Sequence, residues 1–181
     1  MSQKTSLASL PLIDRPIALI GLMGVGKSTV GKRLAARLDL PFIDADHAIE
    51  EAAGLTIPEI FERFGEAHFR DGERRVIARL IEGEPKVIAT GGGAFMQPET
   101  RALILDRALA VWLDADVDIL AERVRRRAGT RPLLAGRNER EALAELAAAR
   151  NPVYALAPIH IRSEAQPHEE TVDAIMKALA Q

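Results

Sequence analysis

Gly21, Gly26, Lys27 and Ser28 stand in the spacing G-x4-G-K-S, within the stretch GLMGVGKST. Glycines at those positions let a loop curl until its backbone N–H groups converge on one point. The lysine adds a mobile positive charge, and the serine adds a hydroxyl able to ligate a hard cation. Together they suit the β- and γ-phosphates of a nucleoside triphosphate carrying Mg²⁺, with Lys27 on the phosphates and Ser28 on the metal. The flanks agree: an apolar run, 17–20, precedes the loop, and an amphipathic stretch follows it, whose helix would aim its positive dipole end at the same phosphates.

Three further groups of residues can do chemistry. Asp44 and Asp46 close the stretch FIDAD. One carboxylate could orient metal-bound water while the other takes a substrate hydroxyl; Asp46 could equally cap a following helix. Gly91-Gly92-Gly93 follows a short apolar run and lets a ligand approach the backbone where any Cβ would forbid it. A plain turn fits the same three glycines. Arg70, Arg131 and Arg150 stand apart from the arginine-rich run 123–127, whose spacing is that of a solvated helix face. Arg131 lies in a loop containing Gly and Pro, which reads as a lid able to carry an arginine to a transferring phosphoryl group.

The elements that must position these groups alternate. Strands are predicted at 17–20, 41–44, 86–90, 108–113 and 159–161. Helices are predicted at 27–38, 47–53, 56–64, 66–81, 98–106, 117–127, 139–156 and 169–179. Val30, Leu34, Ala35 and Leu38 share one face of the first helix. Thr56 and Glu59 form a capping box, with Pro58 in the first turn. Gly72, inside 66–81, costs about 1 kcal/mol relative to alanine. Strand–helix alternation implies a parallel sheet covered on both faces, and ligands in such sheets bind at the carboxyl ends of the strands. That places the loop after the first strand, the Asp pair after the second and the glycines after the third on one edge.

Composition narrows the classes. A chain of 181 residues that is 48% hydrophobic can bury one full core, so a single domain over 16–181 is expected. Residues 1–15 read as a flexible leader, without the long apolar stretch of a signal peptide. No apolar run approaches the roughly 20 residues of a membrane span. A net charge of −2 argues against nucleic acid as a partner. The absence of cysteine excludes disulfides, thiolate metal sites and thiol catalysis, and fits a cytoplasmic protein. No heptad pattern asks for a partner helix, so a monomer is expected. A GTP-dependent switch would carry Asn-Lys-x-Asp, but Asn138 and Asn151 are followed by Glu139 and Pro152. An ATP-driven motor would end a middle strand on an acid, and 86–90 runs into three glycines instead.

The motifs GLMGVGKST, FIDAD, IFERFGEAHFRDGE, TGGGA, RPLL and ARNPVY, in this order and spacing, resemble shikimate kinase from about Pro16 to the C-terminus. The resemblance implies a nucleoside-monophosphate-kinase-like P-loop α/β fold, with a five-stranded parallel sheet, helices on both faces and a lid at about 125–138. It implies ATP-dependent phosphorylation of the shikimate 3-hydroxyl, giving shikimate 3-phosphate and ADP on the route to chorismate and the aromatic amino acids. Matched by motif, Gly24, Val25, Gly26, Lys27, Ser28 and Thr29 would bind ATP. Ser28 would ligate Mg²⁺, with Asp44 holding it through water. Asp46 would bind the hydroxyls and receive or orient the proton of the attacking one. Arg70 and Arg150 would grip the carboxylate, Gly92 would add a backbone contact and Glu73 would orient the arginine. Arg131 would reach ATP and the phosphoryl in flight, so Lys27, Asp46 and Arg131 form the expected catalytic set.

Two departures bear on these expectations. Asp71-Gly72 stands where stronger helix formers are expected, which puts the geometry around Arg70 in question. The adenine side is poorly marked, with Arg123, Arg125 and Gln166 as candidates. A gluconate or other carboxylated-polyol kinase of the same fold is the alternative enzyme. An ATP-dependent binding module is the alternative from another class.

Overall fold

The computed structural model describes residues 11–127, 138–164 and 167–181. Five strands form one parallel sheet: β1 (Ile17–Ile20), β2 (Phe42–Asp44), β3 (Val87–Ala89), β4 (Leu109–Asp114) and β5 (Ile159–Arg162), in the order β2-β3-β1-β4-β5. Ile17 of the central strand pairs with Val87 on one side and Leu109 on the other. Every residue of β1 and β3 is buried. Successive side chains point to opposite faces, so burial without alternation means that both faces are covered. The edge strands β2 and β5 are less enclosed.

The covering helices are α1 (Lys27–Leu38), α2 (Ala45–Ala53), α3 (Ile57–Ile81), α4 (Pro98–Arg107), α5 (Val117–Arg126), α6 (Glu139–Tyr154) and α7 (His168–Leu179). Val30, Leu34, Ala35 and Leu38 of α1 are all buried, as their spacing predicts. Lys27 opens α1 immediately after Gly26, so the P-loop joins β1 to a helix N-terminus. Gly21 has φ 145°, and a Cβ there would collide with the Leu113 carbonyl oxygen of β4. The loop can leave β1 along this path only because that position carries no side chain.

One expectation is corrected. α2 begins at Ala45 rather than His47, and its cap is Asp44, which accepts from Asp46 N at 3.0 Å and His47 N at 3.3 Å. Asp46 is therefore not a cap; it sits in the first turn of the helix. The two helices predicted at 56–64 and 66–81 are both present as the two halves of α3, which meet at Gly65, where φ 82° and ψ 175° break the helix. The Thr56–Glu59 capping box is formed. Asp71-Gly72 does not disturb α3: Gly72 faces open space and Asp71 pairs with Arg74 at 2.8 Å and Arg75 at 2.9 Å. These i,i+3 and i,i+4 pairs support the turn that glycine weakens.

Candidate active site

The P-loop, the start of α2 and the glycine segment after β3 converge at the carboxyl edge of the sheet. They line a polar cleft of about 200 Å³ that includes Gly24, Gly26, Lys27, Ser28, Asp44, Asp46, Gly91 and Gly92. A larger apolar groove of about 500 Å³ lies between α2 and α3. It contains no P-loop residue, so the donor set and not the volume marks the chemistry.

Lys27 Nζ donates to the carbonyl oxygens of Gly21 at 2.6 Å and Leu22 at 3.0 Å. These bonds hold the ammonium inside the loop, at the start of α1. Ser28 Oγ donates to Asp44 Oδ2 at 2.8 Å. A serine oxygen and a carboxylate beside a phosphate loop are the hard, sparse donors that suit Mg²⁺, which keeps water and phosphate oxygens for its remaining positions. Among the described residues no group of three or more His, Cys, Asp or Glu could hold a metal by itself.

The three glycines define the second half of the cleft, because each one's missing side chain faces a charged group. Where Gly91 would carry a Cβ, Asp46 Oδ1 lies 2.8 Å away. At Gly92 the neighbour is Arg150 Nη1 at 3.0 Å. At Gly93 it is the Arg70 guanidinium, with Nη1 at 2.7 Å and Cζ at 2.8 Å. One carboxylate and two guanidinium groups thus face three consecutive residues, which span at most about 7 Å.

Burial sets the electrostatics. The Asp46 carboxyl is pushed up from its ordinary value, first by burial and then by the nearby Asp44 charge, with Lys27 and Arg70 opposing. Glu73 is 1% exposed and is also pushed up by burial, while its bond from Arg70 Nη1 at 2.8 Å pulls the other way. That ion pair fixes the head of Arg70, and Arg70 Nε lies 3.6 Å from Glu66 on the outer side. The arginine reaches the glycine segment already oriented by a buried partner.

The structure brings together Lys27, Ser28, Asp44, Asp46, Arg70, Glu73, Gly92 and Arg150, with Gly24, Val25, Gly26 and Thr29 in the loop and first turn. Arg131, Gln166 and nearly all of the predicted lid lie outside the described residues, as does most of the predicted leader. Arg125 is exposed on α5. Arg123 Nη1 donates to Val25 O at 3.2 Å and Nη2 to Glu164 O at 2.9 Å. It ties the P-loop to the segment before α7. Sequence reasoning gave no role to Tyr154, whose hydroxyl donates to Gly92 O; its position four residues after Arg150 was the available signal.

His168 adds a pH-sensitive support behind the loop. Its Cε1 lies 3.0 Å from where Gly26 would carry a Cβ, and among the described residues its buried Nδ1 has no hydrogen-bond partner. Its pKa is lowered from 6.5 by burial first, then by Arg123, Arg33 and Arg127. Below pH 6.5 the unfolded chain takes up a proton that the folded chain resists. The stability this histidine protects is therefore complete above pH 6.5 and is lost as pH falls toward the lowered folded-state pKa. Thermal unfolding should show a smaller drop in Tm between pH 7 and pH 5 for His168→Gln than for the unaltered chain.

A P-loop on a parallel sheet, facing a separate charged pocket at the same edge, defines a P-loop kinase fold with its own acceptor site. The family model for shikimate kinase matches residues 23–180. A shikimate kinase of Zymomonas mobilis is 62% identical over 165 residues, which are 91% of this chain and 93% of that one. The shikimate kinase of Acinetobacter baumannii, solved in complex with shikimate, is 37% identical with a TM-score of 0.86, covering 94% of this chain and 93% of that one. A gluconokinase of Sinorhizobium meliloti is 22% identical with a TM-score of 0.64, over 92% of this chain and 91% of that one, a likeness of fold alone. The chain belongs to the shikimate kinase family.

Proposed function

We propose that this kinase carries out its family's reaction, transfer of the γ-phosphoryl group of ATP to the 3-hydroxyl of shikimate, through the two halves of the cleft. The observation that carries this reading is the row Gly91-Gly92-Gly93, against which Asp46, Arg150 and Arg70 are set in sequence. A small carboxylated polyol needs bidentate arginine at one end and a hydrogen-bond acceptor at its reacting hydroxyl. Both are present within the reach of one small ring.

The backbone N–H groups of Gly24, Val25, Gly26, Lys27, Ser28 and Thr29 cradle the ATP phosphates, and Lys27 turns its ammonium from the loop carbonyls toward them. Ser28, and Asp44 through water, would hold Mg²⁺, which when bound neutralises phosphate charge. Arg70 and Arg150 grip the carboxylate, with Glu73 fixing the direction of Arg70. Asp46 accepts the hydrogen bond of the 3-hydroxyl and takes its proton as the oxygen bonds to the γ-phosphorus and the bond from that phosphorus to the bridging oxygen breaks, releasing ADP. Arg131 meets the negative charge of the phosphoryl in flight. Catalysis rests on positioning and on charge already in place.

We infer that the enzyme acts in the cytoplasm, where ATP is abundant, as a monomer on shikimate and ATP, with neither nucleic acid nor membrane as partner. Among the described residues no helix is long and apolar enough to cross a membrane. The test is ADP release from MgATP with shikimate, with gluconate and with no acceptor. Release driven by shikimate alone is expected. Release driven by gluconate would overturn the acceptor, and equal slow release in all three would overturn the acceptor pocket.

A further inference from the structure

Tyr154, the last residue of α6, is fully buried. Its ring lies 6.4 Å from Phe95 and 6.0 Å from Trp112, centroid to centroid. Its one polar atom donates to the carbonyl oxygen of Gly92 and also meets the Arg150 guanidinium. A buried phenol needs a partner; here the group it donates to is the middle of the glycine segment that faces the acceptor groups.

We propose that Tyr154 is a positioning residue for the acceptor: its hydroxyl fixes the Gly92–Gly93 peptide plane against which the Arg150 and Arg70 guanidiniums rest. The inference rests on the reading of those two arginines as the carboxylate grip. Three glycines have no side chains with which to hold their own conformation. Turn bonds secure the first and third carbonyls, from Ala94 N to Gly91 O and from Met96 N to Gly93 O, both at 3.2 Å. Among the described residues no backbone N–H reaches Gly92 O, and the tyrosine supplies the missing donor. Because the peptide is planar and trans, fixing that carbonyl also fixes the opposed N–H of Gly93.

The same helix carries the side chain being aligned. Arg150 precedes Tyr154 by one turn, and both reach the same spot: Arg150 Nη1 lies 3.0 Å and the Tyr154 hydroxyl 3.7 Å from where Gly92 would carry a Cβ. α6 therefore sets the arginine and the backbone wall behind it in one rigid unit. Burial, the main influence on the phenol, pushes its pKa up and keeps it a donor.

The experiment compares full-length Tyr154→Phe and Arg150→Ala with the unaltered enzyme for the KM of shikimate, the KM of ATP, kcat and Tm. Tyr154→Phe keeps the ring and should raise the shikimate KM about tenfold, the worth of one hydrogen bond, with the ATP KM unchanged. A lower Tm with an unmoved shikimate KM and kcat would overturn the proposal, since the hydroxyl would then serve packing alone. If Arg150→Ala raises the shikimate KM and Tyr154→Phe does not, the positioning role fails while the arginine grip stands. If neither moves it, both fail. Tyr154 is the chain's one tyrosine, so biosynthetic fluorotyrosine alters this hydroxyl alone without removing the ring. A shikimate KM that shifts in the fluorinated enzyme while the ATP KM stays in place supports the role.

Discussion

Asp46→Asn should lower kcat by about 10²- to 10⁴-fold, the usual worth of a positioned proton acceptor, while MgATP affinity is largely retained. The substitution keeps the shape of the side chain and removes its charge. Asp46 faces Gly91 at the acceptor side of the cleft, and Asp44, not Asp46, makes the bond with Ser28. The damage should therefore fall on transfer and not on nucleotide capture. Steady-state kinetics with shikimate and ATP varied separately, together with MgATP binding by titration calorimetry, make the distinction. A kcat within severalfold of normal would show that Asp46 neither receives nor aligns the hydroxyl proton.

Gly93→Ala should raise the shikimate KM by about 10- to 100-fold, the equivalent of losing roughly 1.5–3 kcal/mol of charged hydrogen bonding, with little change in the ATP KM. Gly93 has φ −92° and ψ −10°, a right-handed conformation that alanine accepts without strain. The added methyl would occupy the space of the Arg70 guanidinium, whose Cζ lies 2.8 Å from that point. A flexible side chain can move aside, so the cost in folding stability is modest and the cost in function is large. Moving Arg70 also breaks its 2.8 Å bond to the buried Glu73. A double-mutant cycle with Arg70→Ala tests the mechanism: the two losses should overlap rather than add. Additive losses would mean that the methyl acts elsewhere.

The nucleotide half of the site was the more legible half because it is written locally. Nine consecutive residues specify the loop, and the helix that follows carries its own apolar face. The acceptor half is assembled from α2, α3, the segment after β3, and α6, so no single window of sequence contains it. Motif resemblance named Arg70, Arg150 and Glu73, but nothing local showed that each glycine after β3 faces a different charged group. The start of α2 was misplaced because a short polar run admits a cap at either aspartate; the geometry selects Asp44, whose carboxylate accepts two backbone N–H groups. Gly65 was legible as the break between two helices, and its φ of 82° and ψ of 175° leave the helical region at that residue. Tyr154 was hidden: an aromatic at the end of an apolar helix face is what a core requires, and periodicity is blind to where its hydroxyl points.

The chain has a single tryptophan, and its place gives the enzyme an optical readout. Trp112 is nearly buried, stacked on His160 at 4.0 Å, with its ring 6.0 Å from that of Tyr154. The indole thus stands two contacts from the acceptor pocket, through the tyrosine and the Gly92 carbonyl it holds. Any rearrangement of that wall alters the surroundings of the chain's one indole, with no second tryptophan to dilute the change. Intrinsic emission is therefore expected to follow acceptor occupancy in an unlabelled, unmodified enzyme, on the millisecond scale of a mixing experiment.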